Sequence, residues 1–155
     1  MIEMLNKHPL ALGQVYFSQP EMIQQSLESP EPPYVIDYEA PKILPFMSGW
    51  DNLLLPKKQL APTLKMLIEQ HLKRSRSLLG TELPPVDQFW IQLIRGLASC
   101  QQLVVVKHFL DELPPTDARQ LLNDVRAVAA QFQIIVIMTT TQESVFNSFQ
   151  SQVIS

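Results

Sequence analysis

The sequence predicts an α/β fold in which a parallel sheet is flanked by helices. Two apolar runs rich in β-branched residues, Leu103-Val104-Val105-Val106 and Ile134-Ile135-Val136-Ile137-Met138, have the pattern of parallel strands buried on both faces. Between them, Ala118, Leu121, Leu122, Val125, Val128, Ala129 and Phe132 recur as one face of a helix over 118–132, with Thr116-Asp117 as its expected cap. Ahead of the first run, Val86, Phe89, Trp90, Leu93, Ile94 and Leu97 trace another helical face. Pro84 and Pro85 open that helix, because the first amides of a helix lack internal partners anyway. Gly96 and Ser99–Gln102 are expected to end it.

The remaining elements follow in chain order. Met1 to Leu12 reads as a weakly helical lead, and Gln14–Phe17 alternates like a strand. Ser18-Gln19-Pro20-Glu21 has the composition of a cap for a short helix over Met22–Leu27. Ser29-Pro30-Glu31-Pro32-Pro33 is a loop, since consecutive prolines fit neither regular element. Tyr34–Tyr38 is a second strand, and Pro62–Leu79 an amphipathic helix with Leu64, Leu67, Ile68 and Leu72 on its inner face. A last short helix carries Val145, Phe146 and Phe149.

Bulk composition narrows the function classes. The 155 residues suit one domain able to bury a core, and 46% hydrophobic content with a net charge of −3 argues for a folded chain. The mild acidity gives no support for a nucleic-acid partner. No apolar run reaches membrane-spanning length and no signal-peptide pattern opens the chain, so a cytoplasmic location is the default expectation. The single cysteine, Cys100, excludes an internal disulfide and a cysteine-based zinc cluster. His8 and His71 have no second ligand at helical spacing, so no metal site is expected. Only 4 glycines stand against 13 prolines, a poor endowment for backbone approach to phosphate.

The stretch Leu83–Thr116, LPPVDQFWIQLIRGLASCQQLVVVKHFLDELPPT, resembles the part of an ABC-transporter ATPase that runs from the signature motif through Walker B to the D-loop. Arg95-Gly96-Leu97-Ala98 matches the family's ARAL-like residues, and Leu103–Val106 its Walker B strand. A second match is Glu39–Pro56, which is similar to the Q-loop and its sequel in lipoprotein- or lipid-exporting members: Leu44-Pro45, Asp51-Asn52 and Leu55-Pro56 fall in place. Ala11–Phe17 is similar to the turn and strand that follow Walker A. The resemblance implies a P-loop-NTPase-like sheet and one domain over 1–155, with about 57–97 as its helical subdomain and signature helix.

The positions that would carry the chemistry hold other residues. GxxxxGK[ST] is absent, and with it the amide nest, the lysine and the hydroxyl that hold phosphates and magnesium. The signature's small residues fall on Pro84, Pro85 and Val86, and the Walker B aspartate falls on Lys107, whose charge disfavours Mg²⁺. The catalytic glutamate falls on His108, the D-loop aspartate on Pro114, the Q-loop glutamine on Glu39 and the switch histidine on Thr140. No catalytic residue, cofactor or metal is therefore expected. The resemblance further implies a surface for a permease's coupling helix, with Phe46, Met47 and Trp50 either on it or packed inward. Lys57, Lys58, Lys65, Lys73, Arg74 and Arg76 are either a solvated helix face or attracted to anionic partners near a membrane.

Three functions are consistent with these residues. The chain is expected to be a non-catalytic subunit or scaffold bound to an ABC permease or a partner ATPase, and to oligomerise, because a missing P-loop strand beside Leu103–Val106 leaves unpaired edges unless Gln14–Phe17 or a second copy fills the slot. The alternatives are a stand-alone protein-binding or structural module, and a weak nucleotide binder or enzyme that uses His108 with Asp111.

Overall fold

In the computed structural model, which describes residues 3–55, 59–148 and 152–154, the chain divides into two compact units. Unit 1 comprises Met1–Asp37 and Gln102–Ser155, and unit 2 comprises Tyr38–Gln101.

Unit 1 contains the parallel sheet. Its strands are β3 (Val15–Ser18), β5 (Tyr34–Asp37), β6 (Leu103–Lys107) and β7 (Ile135–Thr139), in the spatial order β3-β7-β6-β5. The apolar runs at 103 and 135 are buried along almost their whole length, as two-sided parallel strands must be. Register puts Tyr16, Ile137, Val105 and Val35 in one row, so their side chains share a face. That face packs with Leu5, Leu10, Ile23 and Ile154 into one apolar cluster. Phe17, Met138, Val106 and Ile36 occupy the opposite face. Helix α6 (Pro115–Phe132) turns buried Leu121, Leu122, Val125, Val128 and Ala129 inward and contacts β3 and β7.

Several local expectations are corrected. The N-terminal lead is a hairpin, β1 (Met4–Leu5) with β2 (His8–Pro9), and β4 (Leu27–Glu28) joins it to make a three-stranded antiparallel sheet. Asn6 and Lys7 make the turn in the left-handed region, so no glycine marks it in the sequence. Helix α1 spans Pro20–Ser26 and its N-cap, Gln19, makes no side-chain capping bond. Thr116-Asp117 does not cap α6 either: the helix starts at Pro115 with Pro114 as N-cap. The loop expected after β6 contains helix α5 (Phe109–Glu112), whose Phe109 and Leu110 are buried.

No gap opens beside β6, which pairs with β5 on one side and β7 on the other. The expected slot beside Leu103–Val106 is occupied by strands of the chain itself, and β3 pairs with β7 instead. Beyond β3, Val153 forms a parallel bridge with Phe17, and the Ile154 amide donates to the Phe17 carbonyl at 2.9 Å. Unpaired edges in the middle of the sheet therefore give no reason for oligomerisation.

Unit 2 is helical: α2 (Gly49–Leu53), α3 (Pro62–His71), a single 3-10 turn (Gly80–Glu82) and α4 (Pro85–Ala98). α4 is its spine. Phe89, Trp90, Leu93 and Ile94 are buried as the periodicity predicts, and so are Ile91, Gln92 and Gly96, because α2 and α3 both pack on it. Gly96 therefore lies inside the helix, which ends at Ser99 and a left-handed Cys100. α3 stops at His71 rather than Leu79, and Lys73, Arg74 and Arg76 fall in turns beyond it instead of on one helical face. His71 stacks on Trp90 with ring centroids 3.7 Å apart and planes 7° from parallel.

Candidate functional site

The carboxyl ends of parallel strands are where α/β proteins build their sites. In unit 1 these ends are Ser18, Asp37, Lys107 and Thr139, each followed by a turn into the next segment. Their local chemistry departs from phosphate binding in specific ways.

After β3, a single residue, Gln19, separates the strand end from helix α1. A P-loop has this strand–loop–helix order but needs a glycine-rich loop whose amides wrap phosphate. Here the turn has no glycine, Pro20 removes one amide, and Glu21 puts a negative charge in the first helical turn. Ser18 is fully buried and its hydroxyl donates to the Gln19 carbonyl at 3.2 Å.

After β5 and β6, Asp37 and His108 form a pair: His108 Nδ1 lies 2.8 Å from Asp37 Oδ1, both side chains part-exposed. β5 and β6 are neighbours with Asp37 in register with Lys107, which brings the two groups together. His108 is in the left-handed region at φ 71°, a backbone conformation that costs a non-glycine residue about 1–2 kcal/mol. An ionised Asp37 accepts a hydrogen bond from Nδ1–H of His108 and so orients the ring. Asp111, named with His108 in the enzyme alternative, makes its hydrogen bonds to other residues.

Asp111 binds the residues after β7. The Thr140 hydroxyl donates to Oδ1 at 2.6 Å, and the Thr141 amide and hydroxyl each donate to Oδ2 at 3.2 Å. Thr140 is fully buried and also accepts from the Gln142 amide at 3.1 Å. Its hydroxyl is thereby committed on both donor and acceptor sides. Sequence spacing gave no hint of either carboxylate pairing, because the partners are 71 and 29 residues apart.

The other motif positions lie at helix starts or on the surface. Pro114 is the exposed N-cap of α6. In unit 2, Pro84 is the N-cap of α4, Pro85 its first residue, and Val86 is half-buried. Neither proline has an N–H, and Asp87 follows in the first turn, so this helix start is poor at receiving an anion. Glu39 is exposed at the beginning of unit 2.

Unit 2 also presents the aromatic surface. Phe46 is 75% exposed and Trp50 38%, with Leu44 and Leu79 exposed beside them, whereas Met47 is half-buried. Asn52, fully buried, holds the Leu44–Ser48 loop. Its Oδ1 accepts from the Leu44 amide at 2.8 Å, and its Nδ2 donates to the carbonyls of Leu44 (3.1 Å), Met47 (3.3 Å) and Ser48 (3.0 Å). This loop and the start of α2 pair with 76–81 through Gly80 N to Met47 O (2.8 Å), Gly49 N to Leu78 O (2.7 Å) and Trp50 N to Arg76 O (2.8 Å). Two glycines permit this approach: a Cβ at Gly49 would lie 2.8 Å from the Ser75 carbonyl oxygen, and one at Gly80 would collide with that of Leu44. Of the basic residues, Lys57 and Lys58 lie outside the described residues, and Arg76 pairs with Glu69 at 2.9 Å. Phe149 also lies outside them.

Solved structures share this architecture. A metal-chelate type ABC transporter in an inward-facing conformation matches 95% of this chain and 74% of its own, with TM-score 0.70 and 11% identity. The fold is that of an ABC-transporter ATP-binding protein. An ABC transporter ATP-binding protein from Pyrococcus furiosus matches over 91% of both chains, with TM-score 0.63 and 11% identity. The protein cbiO1 from Clostridium perfringens, part of the ABC transporter complex cbiONQ, matches over 91% of this chain and 76% of its own, with TM-score 0.66 and 8% identity. No protein-family model and no curated protein matches the sequence. Among the described residues no helix is long and apolar enough to cross a membrane.

Proposed function

We propose that this chain is a non-catalytic, ABC ATPase-like subunit that docks on a membrane permease or on a partner ATPase, working at the cytoplasmic face of a transport assembly. The observation that carries this reading is the chemistry of the helix starts. α1, α4 and α6 each begin with proline and have Glu21, Asp87 and Asp117 in their first turns. A phosphate needs free amides and a positive dipole end there; each proline takes away one amide, and each carboxylate opposes an anion. Lys107 adds a positive charge at the Walker B position, and Thr140 is hydrogen-bonded to Asp111. The docking half of the proposal rests on Phe46, an exposed aromatic on the loop fixed by Asn52, and on Trp50, exposed in the first turn of α2, since aromatics are enriched among interface anchors. The pattern of Glu39–Pro56 favours a lipid- or lipoprotein-exporting assembly.

Thermal unfolding with and without millimolar Mg-ATP tests the non-catalytic half. Ligand at 100 times its dissociation constant stabilises the folded state by about 2.7 kcal/mol. The expected result is no change in midpoint, and a magnesium-dependent rise overturns the reading. For docking, a photo-crosslinking amino acid at Phe46 should trap an integral membrane protein or an intact ATPase in source membranes. Absence of both would leave the stand-alone module.

A second reading has its own observation, the Asp37–His108 pair at the strand ends. An imidazole oriented by a carboxylate is suited to general-base work through Nε2. The test is NMR of the His108 nitrogens. Asp37→Ala should release the Nδ1–H tautomer, and an unchanged spectrum would rule out the orienting role.

A further inference from the structure

A cavity of about 310 Å³ in unit 1 belongs to none of the surfaces above. Its apolar walls are Leu110 of α5, Leu113 of the following turn, Ala118 and Leu122 of α6, and Val145 of α7 (Glu143–Ser148). Leu110 and Leu122 are buried, so the floor is part of the core. The frame is tied on both sides. Gln142 donates through Nε2 to the Leu110 carbonyl at 3.1 Å, and the Asp111 bonds to Thr140 and Thr141 fix the segment that enters α7.

The rim is polar and of one sign. Arg119 is the only ionisable side chain lining the cavity among the described residues, and its exposed guanidinium makes no hydrogen bond or ion pair with them. The Ser144 hydroxyl, also at the rim, is likewise without a partner among the described residues. A planar guanidinium beside a hydroxyl matches a carboxylate, which can accept two parallel N–H bonds and one O–H bond. Among the described residues no acidic side chain lines the cavity to receive a cation. The volume is at the lower end of small-ligand sites, about 300–1,000 Å³, where mostly apolar walls and a few polar groups fix orientation.

We propose that this cavity binds a small amphipathic carboxylate, with its hydrocarbon between α5, α6 and α7 and its carboxylate on Arg119 and Ser144. The site is independent of the docking reading, since none of its residues lies in unit 2. Transfer of hydrocarbon from water into these walls supplies affinity in proportion to chain length, and the guanidinium supplies selectivity for the anion.

The full chain should be titrated with butanoate, hexanoate, octanoate and decanoate, with octanol as the neutral control, by calorimetry and by NMR of the α6 and α7 amides. Saturable binding is expected, tightening by about fourfold per methylene until the cavity is filled. Octanoate should bind at least about tenfold tighter than octanol, and Arg119→Gln should remove that difference while leaving octanol binding unchanged. Ala118→Phe, which fills the space, should abolish both, and its unfolding midpoint verifies that it is folded. Equal binding of octanol and octanoate, no saturation with any acid, or full binding by a folded Ala118→Phe protein would each overturn the proposal.

Discussion

Replacing Asn52 should release the surface loop of unit 2. Its buried amide is the only side chain seen to bond the Leu44–Ser48 segment at four backbone atoms among the described residues. The two hydrogens of Nδ2 serve three carbonyls, so one is shared, and the acceptor side satisfies the Leu44 amide. Asn52→Leu keeps the volume and removes about three hydrogen-bond equivalents, each worth about 1 kcal/mol net, for a loss of about 3 kcal/mol. Asn52→Asp keeps the acceptor but sets a carboxylate against carbonyl oxygens, and should cost at least as much. Both tryptophans, Trp50 and Trp90, lie in unit 2, so fluorescence-detected melting reports this unit. For a unit of this size, about 4–8 °C per kcal/mol translates to a fall of about 12 °C or more. Hydrogen exchange at the Leu44 amide should accelerate in parallel. A fall of less than about 2 °C in both variants, with Leu44 still protected, would refute the clamp.

Other perturbations separate the remaining contacts. Asp111→Ala removes three accepted hydrogen bonds, one from buried Thr140, and should lower stability by about 2–3 kcal/mol, read as a lower urea midpoint at constant slope. Gly80→Ala forces a methyl group against the Leu44 carbonyl and should cost about 1–3 kcal/mol, with exchange rising in 44–48 rather than in α4. His71→Ala loses the stack on Trp90, worth about 0.5–1.5 kcal/mol, and should alter tryptophan emission; an unchanged spectrum and midpoint would count against the stack. Phe46→Ser should leave the midpoint within about 0.5 kcal/mol of the parent, since the ring is mostly exposed. With the photo-crosslinking amino acid placed at Trp50 instead, it should also reduce crosslinking to the proposed docking partner. A strongly destabilised Phe46→Ser protein would show that the ring packs inward.

Asn52 also shows how a motif match can point to a residue without giving its role. The Asp51-Asn52 pair aligned with a transport-ATPase pattern, but only the loop doubling back over α2 explains why an amide with both donors and an acceptor is required there. Similarly, the resemblance made His108 and Thr140 legible as expected motif positions that hold other residues. Their present partners were not: Asp37 meets His108 because β5 and β6 are neighbours, and Thr140 meets Asp111 because α5 folds back toward the end of β7.

The sequence by itself determined the parallel-strand cores at 103–106 and 134–138, the helices around 85–98 and 118–132, and the absence of a glycine-rich phosphate loop. These are local properties: burial on both faces demands unbroken apolar runs, a helix face demands its period, and a phosphate nest demands glycine. Only the tertiary structure decided the N-terminal hairpin, the order β3-β7-β6-β5, the exposure of Phe46 and the cavity beneath Arg119. Each depends on contacts between residues far apart in the chain. The hairpin turn uses left-handed Asn6 and Lys7 in place of glycine, and strand order and cavity shape are set by which surfaces pack together, for which linear spacing carries no signal.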